Sequence, residues 1–173
     1  TLMDLLVNAI GRETPELNKE GVRLRAIGDI QSLPAKCRKK LEEAIELTSS
    51  NSRLTVTVAL SYSARWEITN AAQKIAGKVA QGLLQPDDID DEVFSAHMET
   101  ADTPDPDLLI RTSGELRLSN FMLWQLAYTE LYFTPVYWPD FRRKHFYQAI
   151  IDYQRRERRF GKVNNQPAAT KNV

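Results

Sequence analysis

Apolar residues repeat along the chain with the period of a helix in some segments and of a strand in others. Near the start, Leu2, Leu5, Leu6, Ala9 and Ile10 recur at helical spacing with no capping residue before them, which predicts a helix already in progress. The same periodicity predicts further helices over residues 34–48, 64–83, 90–98, 121–128 and 141–159.

Strands are predicted where β-branched and apolar residues follow one another in short runs. These runs cover residues 22–27, 54–62, 108–110 and 131–133. The second run is rich in valine and threonine, as is typical of an interior strand. Because strands alternate with helices along the chain, the pattern predicts an α/β fold with a mostly parallel sheet and helices on both faces.

Composition narrows the class of protein. The 173 residues fit one domain, which we expect over residues 1–162, followed by a frayed polar tail over 163–173. The chain contains 42% hydrophobic and 27% charged residues, and this composition excludes disordered and fibrous proteins. The sequence shows no bilayer-spanning apolar run and no signal peptide, so we expect a cytoplasmic protein. Cys37, the single cysteine, excludes an intramolecular disulfide and is expected to be half-buried or on the solvent side of a helix.

Charge is unevenly distributed although the formal net charge is zero. Residues 87–107 hold nine carboxylates and no Lys or Arg, whereas residues 142–162 hold eight Lys and Arg against two acids. The basic segment is typical of a solvated helix face, and it is also compatible with contact to nucleic acid or phosphate.

The segment after the third strand is the richest in candidate chemistry. It reads RTSGELRLSN, residues 111–120, with two arginines, three hydroxyls, a glycine and the expected start of a helix. Guanidinium groups, hydroxyls and a helix N-terminus are the parts of a diphosphate cradle. The alternative is a polar turn in which Arg111 and Arg117 pair with carboxylates such as Glu115.

Glu130 is a second candidate, because it lies in an apolar stretch where an unpaired carboxylate is costly. Its partner is either a metal ion that accompanies a phosphate, or an arginine such as Arg111 or Arg117. A single glutamate is compatible with Mg²⁺, which takes one or two carboxylates and fills its other positions with water and phosphate oxygens.

A long stretch of the sequence carries a family resemblance. Residues 107–141, DLLIRTSGELRLSNFMLWQLAYTELYFTPVYWPDF, resemble the C-terminal signature of the cis-prenyltransferases, in particular the bacterial undecaprenyl diphosphate synthases. The likeness continues in GVRLRAIGD at 21–29, LTVTVALSYSARWEI at 54–68 and RRERRFG at 155–161. It therefore covers nearly the whole chain, in the order of the family.

The resemblance implies roles for particular residues. Arg111, Arg117 and Ser119 would bind the diphosphate of isopentenyl diphosphate, and Glu130 matches a glutamate associated with Mg²⁺. Arg159 and Gly161 match an R-x-G element that reaches the site from the partner subunit of a homodimer. Asp29 and Arg65 lie in family-like segments, where we expect structural roles.

The implied activity is a Mg²⁺-dependent condensation of isopentenyl diphosphate units, in cis configuration, onto an allylic diphosphate such as farnesyl diphosphate. The product would be a long-chain polyprenyl diphosphate, undecaprenyl diphosphate, which serves as a cell-wall lipid carrier. This gives the basic last helix a phosphate role in place of nucleic acid. Peripheral membrane contact through the lipid product is compatible with this activity.

Four departures from the family pattern leave an alternative open. The family's Asp-Gly-Asn-Gly-Arg-Trp loop, whose aspartate handles Mg²⁺ and the allylic diphosphate, does not occur here, nor does its Phe-Ser-x-x-Asn-Trp segment. Leu116 stands where bacterial members can have a metal-associated histidine, and Ser113 where glycine is usual. We therefore expect either a longer source polypeptide or a chain without half of the active site, which would be a non-catalytic supporting subunit or an incompetent fragment.

Overall fold

The computed structural model describes residues 2–156, with side chains from residue 5 onward. Five α-helices and four strands follow one another in this part: α1 (Leu2–Lys19), β1 (Val22–Ile27), α2 (Ala35–Thr48), β2 (Leu54–Ala59), α3 (Ala64–Ala80), α4 (Asp91–Ser95), β3 (Leu108–Arg111), β4 (Glu130–Phe133) and α5 (Arg143–Gln154). Each of the four strands lies within or beside a predicted run. Within the described residues, no helix has the length and hydrophobicity needed to cross a membrane.

The chain forms two compact units. The described part of unit 1 consists of residues 2–104 and 119–124, and that of unit 2 of residues 105–118 and 125–156. Each unit contains one pair of parallel strands, β1 with β2 in unit 1 and β3 with β4 in unit 2. The prediction of a single domain over 1–162 stays a prediction.

The core of unit 1 forms between α2 and the sheet. Its buried members are Leu24, Leu33, Cys37, Leu41 and Ala44, and apolar residues of α1 pack against them. The expectation of a half-buried or solvent-side cysteine is wrong, because Cys37 is 1% exposed. It belongs to the same helical stripe as Leu41 and Ala44, at spacings of four and three residues, and this stripe faces the core.

Two further expectations from the sequence differ from the structure. Residues 121–128 form successive turns and no helix, because Asn120 and Met122 have φ values of 61° and 47°, outside the right-handed helical region. Strand β2 is paired on one edge only within the described residues, and four of its six residues are exposed, so the interior position expected for it is not observed there.

In unit 2, the strand pair is anchored at its amino end and covered by α5. Leu108 pairs with Glu130 and Arg111 with Phe133, so both carboxyl ends lie at the same edge. The Glu130 N–H donates to the Asp107 carbonyl at 3.1 Å. α5 packs against β4, with Ala149 fully buried.

Candidate functional site

Arg111 is the last residue of β3, so it lies at the carboxyl end of the strand pair, where ligands bind in open α/β sheets. The loop after it is held to the chain that follows β4. Ser113 N–H donates to the Val136 carbonyl and Gly114 N–H to the Thr134 carbonyl, both at 2.9 Å. We call residues 111–118 the arginine loop. Its backbone path is thus fixed at the edge of the strand pair where the sequence predicted a site.

Arg117 pairs with Glu115, which is the alternative to diphosphate binding that the sequence left open. Its Nη1 lies 2.5 Å from Glu115 Oε2, and the Arg117 side chain is 70% exposed. This is a surface ion pair, which contributes about 0–1 kcal/mol and can be exchanged for another anion at little cost. Arg117 is therefore accessible to a diphosphate group.

Ser119 belongs to unit 1, unlike the two arginines, and is exposed with a φ of 53°. The next residue, Asn120, fixes this segment to the start of α3. The Asn120 carbonyl accepts from Ala64 N–H at 2.8 Å, and its Oδ1 accepts from Arg65 N–H at 2.9 Å. No helix begins after the arginine loop, so the helix N-terminus expected as part of the cradle is absent from the described residues there.

Asp29 and Arg65, for which structural roles were expected, both take part in local hydrogen bonds of unit 1. Asp29 caps a short 3₁₀ helix, Ile30–Ser32, through its Oδ1, which accepts from Ser32 N–H at 3.2 Å. Arg65 is the second residue of α3, and its backbone N–H is the donor to Asn120.

Glu130 has an arginine partner, but it is neither of the two considered from the sequence. Arg156 Nη1 donates to Glu130 Oε2 at 2.9 Å and to the Leu131 carbonyl at 3.0 Å. The same guanidinium binds Asp152, with Nη2 at 2.5 Å and Nε at 3.0 Å from Oδ2. Hydrogen bonds to Glu130 and then Asp152 raise the pKa of Arg156, so the guanidinium is held in its charged form. We call Glu130, Asp152 and Arg156 the ion triad.

The structure does not bring Glu130 and Arg111 together. Glu130 begins β4 while Arg111 ends β3, and three residues at about 3.3 Å each separate them by about 10 Å along the strands. Paired residues share a face and successive residues alternate, so these two side chains leave from opposite faces of the pair. A ligand of Arg111 and a cation at Glu130 of the same chain therefore occupy different places.

The donor chemistry at Glu130 is compatible with magnesium. Among the described residues, no group of three or more His, Cys, Asp and Glu side chains could hold a metal ion. Glu130 Oε2 is taken by Arg156, but no contact of the described residues reaches Oε1, and the side chain is 27% exposed. One carboxylate oxygen fits a Mg²⁺ ion whose remaining ligands are water and phosphate oxygens.

A buried carboxylate in unit 1 was not identified from the sequence. Glu67 of α3 is 1% exposed and accepts from Tyr62 Oη at 2.5 Å and from Glu99 N–H at 2.9 Å. Burial, followed by the bond to Glu67, raises the pKa of Tyr62. The signal was present, because Glu67 falls on the buried stripe of α3 with Ala64 and Ala71.

Arg159 and Gly161, which the resemblance places at the site, lie outside the described residues. So do the frayed tail expected over 163–173 and the predicted end of the last helix.

Comparison with known proteins identifies the family. Residues 1–161 match the profile of the Prenyltransf family, which is described as undecaprenyl diphosphate synthase. The chain is 52% identical over 165 residues to an isoprenyl transferase of Chlorobaculum tepidum, a match that covers 95% of this chain and 62% of the relative. The chain thus spans less than two thirds of that relative's length.

A second relative and a solved structure agree with this match. The chain is 48% identical over 168 residues to the ditrans,polycis-undecaprenyl-diphosphate synthase, (2E,6E)-farnesyl-diphosphate specific, of Vibrio cholerae, covering 97% of this chain and 67% of the relative. The crystal structure of lavandulyl diphosphate synthase from Lavandula x intermedia, in complex with dimethylallyl diphosphate, superposes with a TM-score of 0.91 at 41% identity. That superposition covers 93% of this chain and 70% of the plant enzyme, and it confirms the predicted α/β fold with a mostly parallel sheet. By its matched profile and its identity to these relatives, the chain belongs to the undecaprenyl diphosphate synthase family of cis-prenyltransferases.

Proposed function

We propose that the protein is a Mg²⁺-dependent cis-prenyltransferase that condenses isopentenyl diphosphate onto an allylic diphosphate. The observation that supports this most directly is the arginine loop at the carboxyl end of β3, in a chain of this family. By analogy with the Vibrio cholerae relative, the allylic substrate is farnesyl diphosphate and the product undecaprenyl diphosphate. The family resemblance implies that this product carries cell-wall precursors.

The arginine loop supplies positive charge to a diphosphate. Arg111 is half-buried at the end of a strand and Arg117 is exposed on the loop, so the first is the better ordered of the two. Guanidinium groups bind phosphate oxygens in bidentate fashion, and the family resemblance implies the Ser119 hydroxyl as a further donor. In this proposal Arg111 and Arg117 bind isopentenyl diphosphate and orient its double bond towards the allylic carbon.

In the reaction, the carbon–oxygen bond to the allylic diphosphate breaks and diphosphate leaves with the bonding electrons. The double bond of isopentenyl diphosphate forms the new carbon–carbon bond, and loss of a proton restores a double bond in cis configuration. Diphosphate carries the developing negative charge, so fixed positive groups around it stabilise the transition state more than the ground state.

Magnesium is part of the proposal, with Glu130 Oε1 as its ligand from the described residues. When bound, the ion would neutralise diphosphate charge and so improve the leaving group. We also propose a homodimer, which is supported by the exposed aromatic residues of unit 2, and a cytoplasmic location with peripheral membrane contact through the lipid product.

The test is a condensation assay on the full-length protein with labelled isopentenyl diphosphate, farnesyl diphosphate and Mg²⁺. We expect long-chain polyprenyl diphosphate as product and loss of the product when the metal is chelated. Arg111→Ala should raise KM for isopentenyl diphosphate by about a hundredfold, which corresponds to a charged hydrogen-bonding partner worth about 3 kcal/mol. The loss of binding free energy should be far larger than the loss of unfolding free energy.

Arg12→Ala is the matched control, since Arg12 is an exposed arginine of α1 with a side chain 79% accessible. It should leave KM unchanged. An unchanged KM in Arg111→Ala would contradict the assignment of the arginine loop. A folded wild-type protein that makes no product, but raises the activity of a partner, would indicate the supporting subunit instead.

A further inference from the structure

The segment that carries Ser119 is fixed to the start of α3, and this places Arg65 beside Ser119. The Asn120 carbonyl accepts from the Ala64 N–H at 2.8 Å, and Asn120 Oδ1 accepts from the Arg65 N–H at 2.9 Å. Asn120 directly follows Ser119, and consecutive Cα atoms are about 3.8 Å apart. The main chains of Arg65 and Ser119 are therefore close neighbours within unit 1.

This segment has an unfavourable backbone that depends on such contacts. Ser119, Asn120 and Met122 have φ values of 53°, 61° and 47°, in the left-handed region that residues other than glycine rarely adopt. The ring of Phe121 packs edge-on against Tyr62, which lies two residues before α3, with 5.7 Å between ring centroids. Contacts on both sides of the turn thus hold Ser119 at the N-terminal end of α3.

The Arg65 guanidinium takes no part in the contacts that hold this segment. The main chain of Arg65 bonds to Asn120 and to Thr69, whereas its exposed side chain forms no hydrogen bond or ion pair with any other described residue. Side chains of an α-helix lean toward its N-terminus, which is the end of α3 that Asn120 caps. The guanidinium is therefore available to an anion bound at Ser119.

We propose that Arg65 is a further arginine of the isopentenyl diphosphate site, which binds the diphosphate together with Ser119. The inference rests on the proposed function, because that function brings the diphosphate to Ser119. The guanidinium offers two parallel donors to one phosphate group, and the positive end of α3 adds to the attraction. Asn120 is the positioning residue, since it holds Ser119 and Arg65 in one place.

An Arg65 without a ligand makes a different prediction. Arg65 is the second residue of α3, where the positive end of the helix repels a cation, so its charge does not stabilise the helix. Under either view, Arg65→Gln should leave the stability of the free protein unchanged or raise it. Only a diphosphate-binding Arg65 predicts that the same change weakens substrate binding.

The experiment titrates isopentenyl diphosphate into the full-length protein by isothermal calorimetry. We expect Arg65→Gln to bind at least about tenfold more weakly than the wild type, as for the loss of a charged hydrogen bond. In the condensation assay, KM for isopentenyl diphosphate should rise by a similar factor, whereas KM for farnesyl diphosphate should stay unchanged. The urea midpoint of unfolding should not fall.

Lys36→Gln is the matched control for charge and helix position. Lys36 is the second residue of α2 and is exposed, so this change removes a cation from the same position of another helix in unit 1. It should leave the affinity for isopentenyl diphosphate unchanged. Arg65→Lys keeps the charge without the two parallel donors, and should retain part of the affinity.

A double variant tests whether Arg65 and Ser119 bind the same phosphate group. The loss of affinity in Arg65→Gln with Ser119→Ala should be smaller than the product of the two single losses, as for residues that act as a unit. A double loss equal to that product would overturn the shared site.

Unchanged affinity for isopentenyl diphosphate in folded Arg65→Gln would also overturn the inference. So would a loss of the same size for farnesyl diphosphate, because Arg65 would then attract both substrates without belonging to the Ser119 site. The proposed function fails separately, if the wild type binds isopentenyl diphosphate but forms no polyprenyl product with farnesyl diphosphate and Mg²⁺.

Discussion

At the scale of single residues, Ser113 shows how a departure from the family pattern affects the backbone. Its φ is 68°, in the left-handed region that glycine adopts freely, and it stands where the family usually has glycine. The neighbouring Gly114 has a φ of 69°. The turn of the arginine loop therefore uses two successive left-handed residues, only one of which is glycine.

Ser113→Gly should stabilise the protein by about 0.5–1 kcal/mol. The left-handed conformation costs a non-glycine residue about 1–2 kcal/mol, and the greater freedom of glycine in the unfolded chain offsets about 0.5–1 kcal/mol of the gain. The free energy of unfolding in urea measures the effect. Gly114→Ala is the control and should destabilise by about 1 kcal/mol, whereas a loss of stability in Ser113→Gly would show that the serine side chain makes a bond that outweighs the strain.

At the scale of elements, Thr48 joins the last turn of α2 to β1. Thr48 is fully buried, and its Oγ1 accepts from Leu24 N–H at 3.0 Å and donates to the Ala44 carbonyl at 2.9 Å. Asn51 adds a further hydrogen bond at the same junction, since its Nδ2 donates to the Val22 carbonyl at 2.9 Å. The contact between helix and strand in unit 1 thus includes side-chain bonds to strand backbone as well as apolar packing.

Thr48→Val should lower the free energy of unfolding by about 1–3 kcal/mol, because the isosteric side chain leaves the buried Leu24 N–H without an acceptor. Chemical denaturation gives the size of the loss, and hydrogen exchange should show faster exchange of the Leu24 amide. Thr48→Ser keeps the hydroxyl and should retain most of the stability. Equal stability of the Val and wild-type proteins would mean that this bond contributes nothing to the junction.

At the scale of the whole molecule, unit 2 exposes several large aromatic and aliphatic side chains. Those more than a third exposed are Leu116, Tyr128, Tyr137, Trp138, Phe146, Tyr147 and Ile151. Clusters of exposed aromatic residues are typical of protein interfaces. They support the proposed homodimer.

Trp138→Glu should weaken self-association at least tenfold, since burial of a charge at an aromatic contact costs more than the 1.4 kcal/mol that a tenfold change requires. Trp138 is 72% exposed in the single chain, so the substitution should leave the fold intact. Sedimentation equilibrium measures the association. Leu83→Glu, at a residue of unit 1 that is 70% exposed, is the control, and equal sedimentation of Trp138→Glu and wild type would place any interface elsewhere.

The sequence by itself determined the order of strands and helices, the α/β class and the family. These depend on local periodicity and on a long contiguous motif, which a single chain displays without knowledge of its folding. The segment over 121–128 is the exception, because positive φ values at Asn120 and Met122 override its helical periodicity.

Only the tertiary structure decided which groups meet. Arg156 lies 26 residues from Glu130 in sequence, and Glu99 lies 32 residues from Glu67, so no local pattern predicts either contact. The strand register, which sets Arg111 and Glu130 on opposite faces, is likewise a property of the paired strands. Contacts of this kind form only when packing brings distant segments together, and they decide the electrostatics of the site.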